Sequence, residues 1–277
     1  MQVRLTDRNP FASNVDMPPQ SNGATHKRRG GAPLGEIAHG DTLAELGEVW
    51  SWTTAAGRAR LQRRIELFVQ SLGLRQQPKT VLELGCGTGV FTEQMAAYCK
   101  SLVAVDISEA LLAQARLKVP SEHVRFARQN LEDIDPAQTG RGFEAVFGRS
   151  VLHHLDLDQT LPQLAALLAP GAQLAFSEPN LLNPQVRIMF SGLEWAKRKW
   201  AVSDTEMAFY PWELRSIFER HGFEVRALFP FDFMHPAIPA RLVPLAESVD
   251  HLLERTPMLR FLGGSYFLHV RLRATPS

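Results

Sequence analysis

Val81-Leu82-Glu83-Leu84-Gly85-Cys86-Gly87-Thr88-Gly89 is a short apolar run that breaks into alternating glycines, and Val90-Phe91-Thr92-Glu93-Gln94-Met95-Ala96-Ala97 follows it with a helical pattern. The stretch reads as a buried strand, a tight turn and a helix start. Glycines at 85, 87 and 89 remove the Cβ atoms that would keep a ligand off the backbone. The helix behind them offers unpaired N–H groups and a partial positive charge. A nucleotide-like ligand is the expectation.

Downstream, Leu102-Val103-Ala104-Val105-Asp106 reads as a second strand ending in an acid, with Ile107 next and Ser108 as N-cap of a helix through Lys118. A carboxylate at a strand's C-terminal end can take both hydroxyls of a ribose. A third strand, 124–128, runs into Gln129-Asn130-Leu131-Glu132-Asp133. A fourth, beginning at Phe143, ends in Gly148-Arg149-Ser150-Val151-Leu152-His153-His154-Leu155. A helix near 159–168 leads through Pro170-Gly171 to a fifth strand, 173–180, which carries Glu178. Strands alternating with crossover helices imply a doubly wound parallel α/β sheet, whose ligands gather at the strands' C-terminal ends. Gly85, Asp106, Asn130, Gly148, His153 and Glu178 all fall at that edge. A dinucleotide fingerprint, G-x-G-x-x-G, would need its third glycine at position 90; that position is Val90, which disfavours a nicotinamide cofactor.

The pattern E-x-G-x-G-x-G at 83–89 resembles motif I of the class I S-adenosylmethionine-dependent methyltransferases. The segment F-E-A-V-F-G-R-S-V-L-H-H-L at 143–155 is similar to the F-D-x-V-x-x-x-x-V-L-H-H-L of many small-molecule members, with Glu144 in place of the usual aspartate. The resemblance covers about 50–270 and is specific at 81–89, 103–108 and 143–155. It implies a seven-stranded Rossmann-like sheet with an antiparallel last strand and helical cap insertions. It also implies S-adenosyl-L-methionine as cofactor, bound by Glu83, Gly85, Cys86, Gly87, Gly89, Asp106, Ile107, Asn130, Leu131 and Gly148. Asn130 stands where the family usually has an aspartate near the adenine, and its side-chain carbonyl can still accept from the adenine amino group. In several small-molecule O-methyltransferases a histidine in the turn after the fourth strand takes the acceptor's proton, sometimes oriented by an acid after the next strand. His153 is assigned as that base, with Glu178 as its orienter and His154 as a structural residue. Gly148-Arg149-Ser150-Val151 lacks both the N/D/S-P-P-Y/F turn of base amino-group methylation and the aspartate of metal-assisted catechol methylation, so no metal is expected. The implied activity is methyl transfer to a small, partly apolar molecule at a hydroxyl oxygen. The alternatives are C-methylation of a quinone or lipid-like acceptor, and a methyltransferase-like binding protein without chemistry.

At 277 residues and 45% hydrophobic content the chain suits one catalytic domain. A formal charge of +1 argues against a large nucleic-acid surface. Cys86 and Cys99 flank a helix, beyond the ~7 Å Cα limit for a bridge, and suit a reducing compartment. No run approaches the ~18 apolar residues of a membrane span, so a cytoplasmic protein without a transmembrane segment is expected. Residues 1–40, rich in proline and glycine, read as a disordered arm, and 41–277 as the methyltransferase domain. Two helices precede the first strand, with Trp50 and Trp52 placed to close over the cofactor. Cap insertions are expected near 181–210, including an amphipathic helix over 185–200, and near 230–264, including an apolar-faced helix with Leu242, Leu245, Val249, Leu252 and Leu253. Phe209 or Tyr210, Phe229, Phe231 and Phe233 are candidates for an apolar acceptor pocket. Acceptor identity and oligomeric state stay open.

Overall fold

The computed structural model describes residues 33–46, 52–193, 195 and 208–273. Its centre is a sheet of seven strands: β1 Thr80–Leu84, β2 Ser101–Asp106, β3 Val124–Arg128, β4 Phe143–Arg149, β5 Leu168–Pro179, β6 Phe223–Phe231 and β7 Ser265–Leu272. They lie in the order β3-β2-β1-β4-β5-β7-β6. β1 to β5 pair in parallel, while β7 runs antiparallel to both β5 and β6. This is the doubly wound, seven-stranded sheet expected from the strand pattern and the resemblance. The chain leaves β1 towards β2 and β3, then returns to build outward from β4. That reversal opens a crevice above the C-terminal ends of β1 and β4.

The strands alternate between two buried faces, because a sheet covered by helices on both sides has no wet face. Leu82, Leu84, Val146, Leu174, Phe176, Leu268 and Val270 pack on one side with helices α6 Leu157–Ala165 and α8 Pro211–Arg220. Val81, Ala145, Phe147, Ala175 and Phe267 pack on the other with α2 Ala55–Ser71 and α3 Val90–Ala96. Phe68 of α2 centres that second layer, its ring lying 5.4 Å from Phe147 and 5.7 Å from Phe267. Helices α4 Glu109–Lys118 and α5 Pro136–Thr139 complete the crossovers around β3.

Three elements differ from the sequence reading. β5 starts at Leu168 rather than 173: it takes in Pro170-Gly171, Gly171 at φ 74° absorbing the kink, with a register shift against β4 between Phe143 and Ala145. Helix α1, Pro33–Leu46, crosses the arm boundary expected at residue 40. It is seated on α4: Ser108 Oγ donates to Asp41 Oδ1 at 2.8 Å, Gln114 Nε2 donates to Ala44 O at 3.0 Å, and a Cβ at Gly40 would lie 2.7 Å from Ser108 Cβ. Residues 1–32 and Trp50 lie outside the described residues. In the first cap, α7 spans only Pro184–Met189; most of the remaining 185–200 expectation, with its basic end, lies outside the described residues.

In the second cap, α9 Val243–Arg255 turns its apolar side outward, leaving Leu245 63% and Leu252 65% exposed. Its polar side does the seating. Arg63 of α2 pairs with both Asp250 and Glu254, Asp250 accepts the Phe233 N–H at 2.6 Å, and Glu254 accepts the Asp232 N–H at 3.1 Å. Cys86 and Cys99 are both free thiols. Among the described residues no helix is long and apolar enough to cross a membrane.

Candidate active site

The glycine loop is a run of left-handed backbone: Gly85, Gly87 and Gly89 have φ of 65°, 54° and 77°. Each glycine serves a different contact. A Cβ at Gly85 would sit 2.8 Å from Val151 Cγ2, and one at Gly89 3.0 Å from Ala115 Cβ, so these two let the loop close on its neighbours. A Cβ at Gly87 would meet nothing within 4 Å; it would project into the open crevice. Asp106 ties the loop to the end of β2. Its Oδ2 accepts the Gly87 N–H at 2.8 Å and its Oδ1 the Ser108 N–H at 3.0 Å. Burial raises its pKa, against the pull of those N–H donors.

The crevice is a cavity of about 550 Å³, within the range of small-molecule sites. Gly85, Gly87, Asp106, Ile107, Asn130, Leu131 and His153 line it, as do His39 and Leu43 from α1 and Trp52. Five of the anticipated site residues do not. Glu83 is buried and accepts from Thr92 Oγ1 at 2.6 Å, fastening β1 to α3, and burial pushes its pKa up to about 8. Cys86 is inside the turn, its N–H on Val105 O at 3.0 Å. Gly89 packs on α4. Gly148 makes room for Val151, whose Cγ1 would lie 2.7 Å from a Cβ there. Glu178 stands behind the wall. Asn130 is on the wall, and its Oδ1 accepts the Glu132 N–H at 3.1 Å in a local turn, which holds the side chain in place and uses one of the oxygen's two lone pairs.

After β4 the backbone kinks at Ser150, φ 50°, a conformation a non-glycine residue adopts only at a cost, and the Ser150 N–H is held on Ser177 O at 2.8 Å. The kink starts the short 3-10 turn Leu152–His154. Glu178, 1% exposed, organises that turn: Oε1 accepts the N–H groups of Val151 and Leu152, both at 3.0 Å, and Oε2 accepts from His153 Nδ1 at 2.7 Å. A carboxylate oxygen only accepts, so Nδ1 is the donor in this bond, and in a neutral ring the lone pair is then on Nε2. The His154 ring lies against that of His153, tilted by 36° with centroids 4.2 Å apart, and its centroid is 6.1 Å from that of His39 of α1.

The other end of the cavity holds residues that motif reading missed. Arg60 and Arg64 of α2 reach Asp232, just past β6, Arg60 Nη2 at 2.7 Å from Oδ2. Arg149, the last residue of β4, lies with its guanidinium 4.9 Å from the Trp52 ring centroid. Burial opposes ionisation of Asp232, but the charges of Arg64 and Arg60 win and hold its pKa well below the usual range. Asp232 also has a positive φ, 71°, so two of the three strained non-glycine residues among those described line this cavity. Val186, Met189, Phe190, Phe233 and Met234 from the two caps add an apolar rim. Of the aromatics proposed for an acceptor pocket, only Phe233 lines it; Phe209, Phe229 and Phe231 belong to the core.

A family model described as a methyltransferase domain matches residues 57–228. The chain belongs to that family, the class I S-adenosylmethionine-dependent methyltransferases. Among relatives of this methyltransferase, nodulation protein S of Sinorhizobium fredii is 28% identical over 138 residues, 48% of this chain and 62% of that protein. The ubiquinone biosynthesis O-methyltransferase of Xanthomonas axonopodis is 28% identical over 182 residues, 64% of this chain and 74% of the relative. The chain therefore spans less than two-thirds of the first relative's length. In fold it is similar to the N-methyltransferase NodS from Bradyrhizobium japonicum crystallised with S-adenosylhomocysteine, with a TM-score of 0.58 at 15% identity over 86% of this chain and 98% of that one. The residues present fit the family's cofactor. A Cβ-free cradle opens at Gly87, a strand-end carboxylate stands beside it, and Ile107 and Leu131 offer apolar surface to a base.

Proposed function

We propose that this methyltransferase moves a methyl group from S-adenosylmethionine to a hydroxyl oxygen of a small, partly apolar acceptor, with His153 as general base. The observation that supports this reading best is the Glu178–His153 hydrogen bond at 2.7 Å, which orients through Nδ1 a histidine that lines the cavity. When bound, the cofactor supplies an electrophilic methyl on sulfur. Asp106 would hold the ribose, Ile107 and Leu131 the base, and the Gly85–Gly87 backbone the amino-acid portion. His153 would take the hydroxyl proton as the oxygen–carbon bond forms and the sulfur–methyl bond breaks, giving a methyl ether, S-adenosylhomocysteine and a protonated imidazole, which Glu178 stabilises. The caps with Phe190 and Phe233 exclude water, so the attacking oxygen is positioned and desolvated.

The test is single-turnover transfer from isotope-labelled S-adenosylmethionine to a panel of phenols, hydroxy acids and hydroquinones, with the product methyl located by NMR. An oxygen-bound methyl whose formation drops roughly 10² to 10⁴ fold in His153→Ala supports the proposal. The apolar rim favours one second reading, a carbon acceptor of quinone or lipid-like type, and a carbon-bound methyl would establish it. No transfer to any member of the panel, with cofactor bound, would favour a binding protein.

A further inference from the structure

We infer that the acceptor carries a carboxylate and that Arg149, with Arg60 and Arg64, holds it. This rests on the reading of the cavity as the acceptor's site and adds the acceptor's charge to it. Three guanidinium side chains from two elements line this cavity, and Asp232 pairs with two of them, Arg60 and Arg64. The other acids nearby are committed elsewhere, Glu178 to His153 and two backbone N–H groups, and Asp250 and Glu254 to Arg63. Arg64, 3% exposed, bonds Asp232 and Ser265 Oγ through Nη2, yet its buried Nε has no hydrogen-bond partner. Arg149 is pushed down to about 9 by burial and then by the charges of Arg64 and Arg60, which still leaves it cationic at neutral pH. A cavity end that holds cations beside one another has unfavourable self-repulsion, which an anionic ligand relieves.

The geometry points to a planar anion. Arg149, Arg60 and Arg64 lie 4.9, 5.6 and 5.8 Å from the Trp52 ring centroid, so one indole fixes all three guanidinium groups. Guanidinium forks match carboxylates in a bidentate manner, which a neutral hydroxyl or amide cannot reproduce. With the apolar rim of Phe190, Phe233 and Met234 beside them, the complementary ligand is amphipathic: an aryl or alkyl body with an acid group at one end. The cofactor has a carboxylate of its own in its amino-acid end, and the experiment separates the two sources.

Calorimetric titration of the full chain saturated with S-adenosylhomocysteine would use para-hydroxybenzoate, para-hydroxycinnamate and octanoate, each against its own amide. At least one acid should bind about 10- to 100-fold more tightly than its amide, the range for a charge-assisted bond. Arg149→Gln should abolish most of that preference and Arg149→Lys should retain part of it, with S-adenosylhomocysteine affinity within about threefold of wild type in both. The comparison of acid with amide needs no variant and no turnover, so it stands apart from whether the methyl goes to oxygen or carbon. Equal binding of every acid and its amide would overturn the inference. So would a variant that loses about tenfold or more for S-adenosylhomocysteine but nothing for methylthioadenosine, which lacks the amino-acid end; that result would assign Arg149 to the cofactor.

Discussion

Replacing Glu178 by glutamine changes one atom and should disable the base while leaving the fold intact. In the native site Oε1 accepts two N–H groups, from Val151 and Leu152, at 3.0 Å each, and Oε2 accepts the His153 Nδ1 proton at 2.7 Å. The two backbone donors will keep an oxygen, so the amide nitrogen must face Nδ1. An amide nitrogen only donates, which forces the imidazole proton onto Nε2, the atom needed as acceptor. The expected loss is roughly 10² to 10⁴ fold in single-turnover rate at pH 7 with a neutral hydroxyl acceptor. Stability should stay within about 1 kcal/mol, since one hydrogen bond is exchanged for another. Glu178→Ala is the contrast: two N–H groups left buried cost about 2–6 kcal/mol together. A phenol acceptor already ionised at high pH needs no base, so the gap between wild type and Glu178→Gln should narrow as pH rises past the phenol's pKa. The readouts are rapid-quench transfer of labelled methyl across pH 6 to 10 (roughly the range between the imidazole and phenol pKa values) and urea denaturation. A Glu178→Gln enzyme that matches wild type within about threefold at pH 7 would refute the role given to His153.

Gly87→Val should abolish measurable S-adenosylhomocysteine binding in calorimetry, because the branched Cβ enters the crevice and φ of 54° is unfavourable for it; a bound complex of unchanged affinity would remove Gly87 from the site. Glu83 titrates near 8 in the fold against about 4.3 unfolded, so between those values the native state holds a proton that the unfolded chain has lost. Its contribution is therefore complete below the unfolded pKa and lost as pH rises through about 8, and Glu83→Gln should flatten the fall in stability between pH 5 and 9. Thermal denaturation at stepped pH checks this, and identical slopes in the two proteins would contradict it. Phe68→Ala should cost about 3–5 kcal/mol in urea titration, since its fully buried ring bridges α2 to β4 and β7; a loss under 1 kcal/mol (well short of a core phenylalanine's usual cost) would mean that layer is not a packed core.

Contiguous stretches were the legible parts of this chain. Continuously apolar strands, the glycine turn and the Ser108 N-cap declare themselves within a few residues, and family resemblance at 83–89 and 143–155 carried the rest of the sheet. The His153–Glu178 pair was within reach because each sits at the end of a neighbouring strand. Arg60 and Arg64 were not, since their partner Asp232 lies 172 and 168 residues further on and no local pattern links them. The α9 helix and its apolar stripe were legible, but not the direction of the stripe, because Arg63 fixes the opposite face through Asp250 and Glu254 far along the chain. Proline and glycine made residues before 40 resemble an arm, yet Pro33 is tolerated in a helix's first turn and Gly40 is what lets α1 touch Ser108. Asn130 was assigned by position in a motif, and its turn bond to the Glu132 N–H is a local contact that the motif does not announce.

Everything above depends on the crevice over β1 and β4 being the cofactor's seat, and calorimetric titration of the full chain with S-adenosylmethionine and S-adenosylhomocysteine tests that most directly. The account predicts one molecule bound per chain, no heat with NAD, and an Asp106→Ala variant weakened by about 1.5–3 kcal/mol through loss of hydrogen bonds to a charged group. Binding of NAD without binding of either sulfur nucleoside, or an Asp106→Ala protein with unchanged affinity, would contradict it.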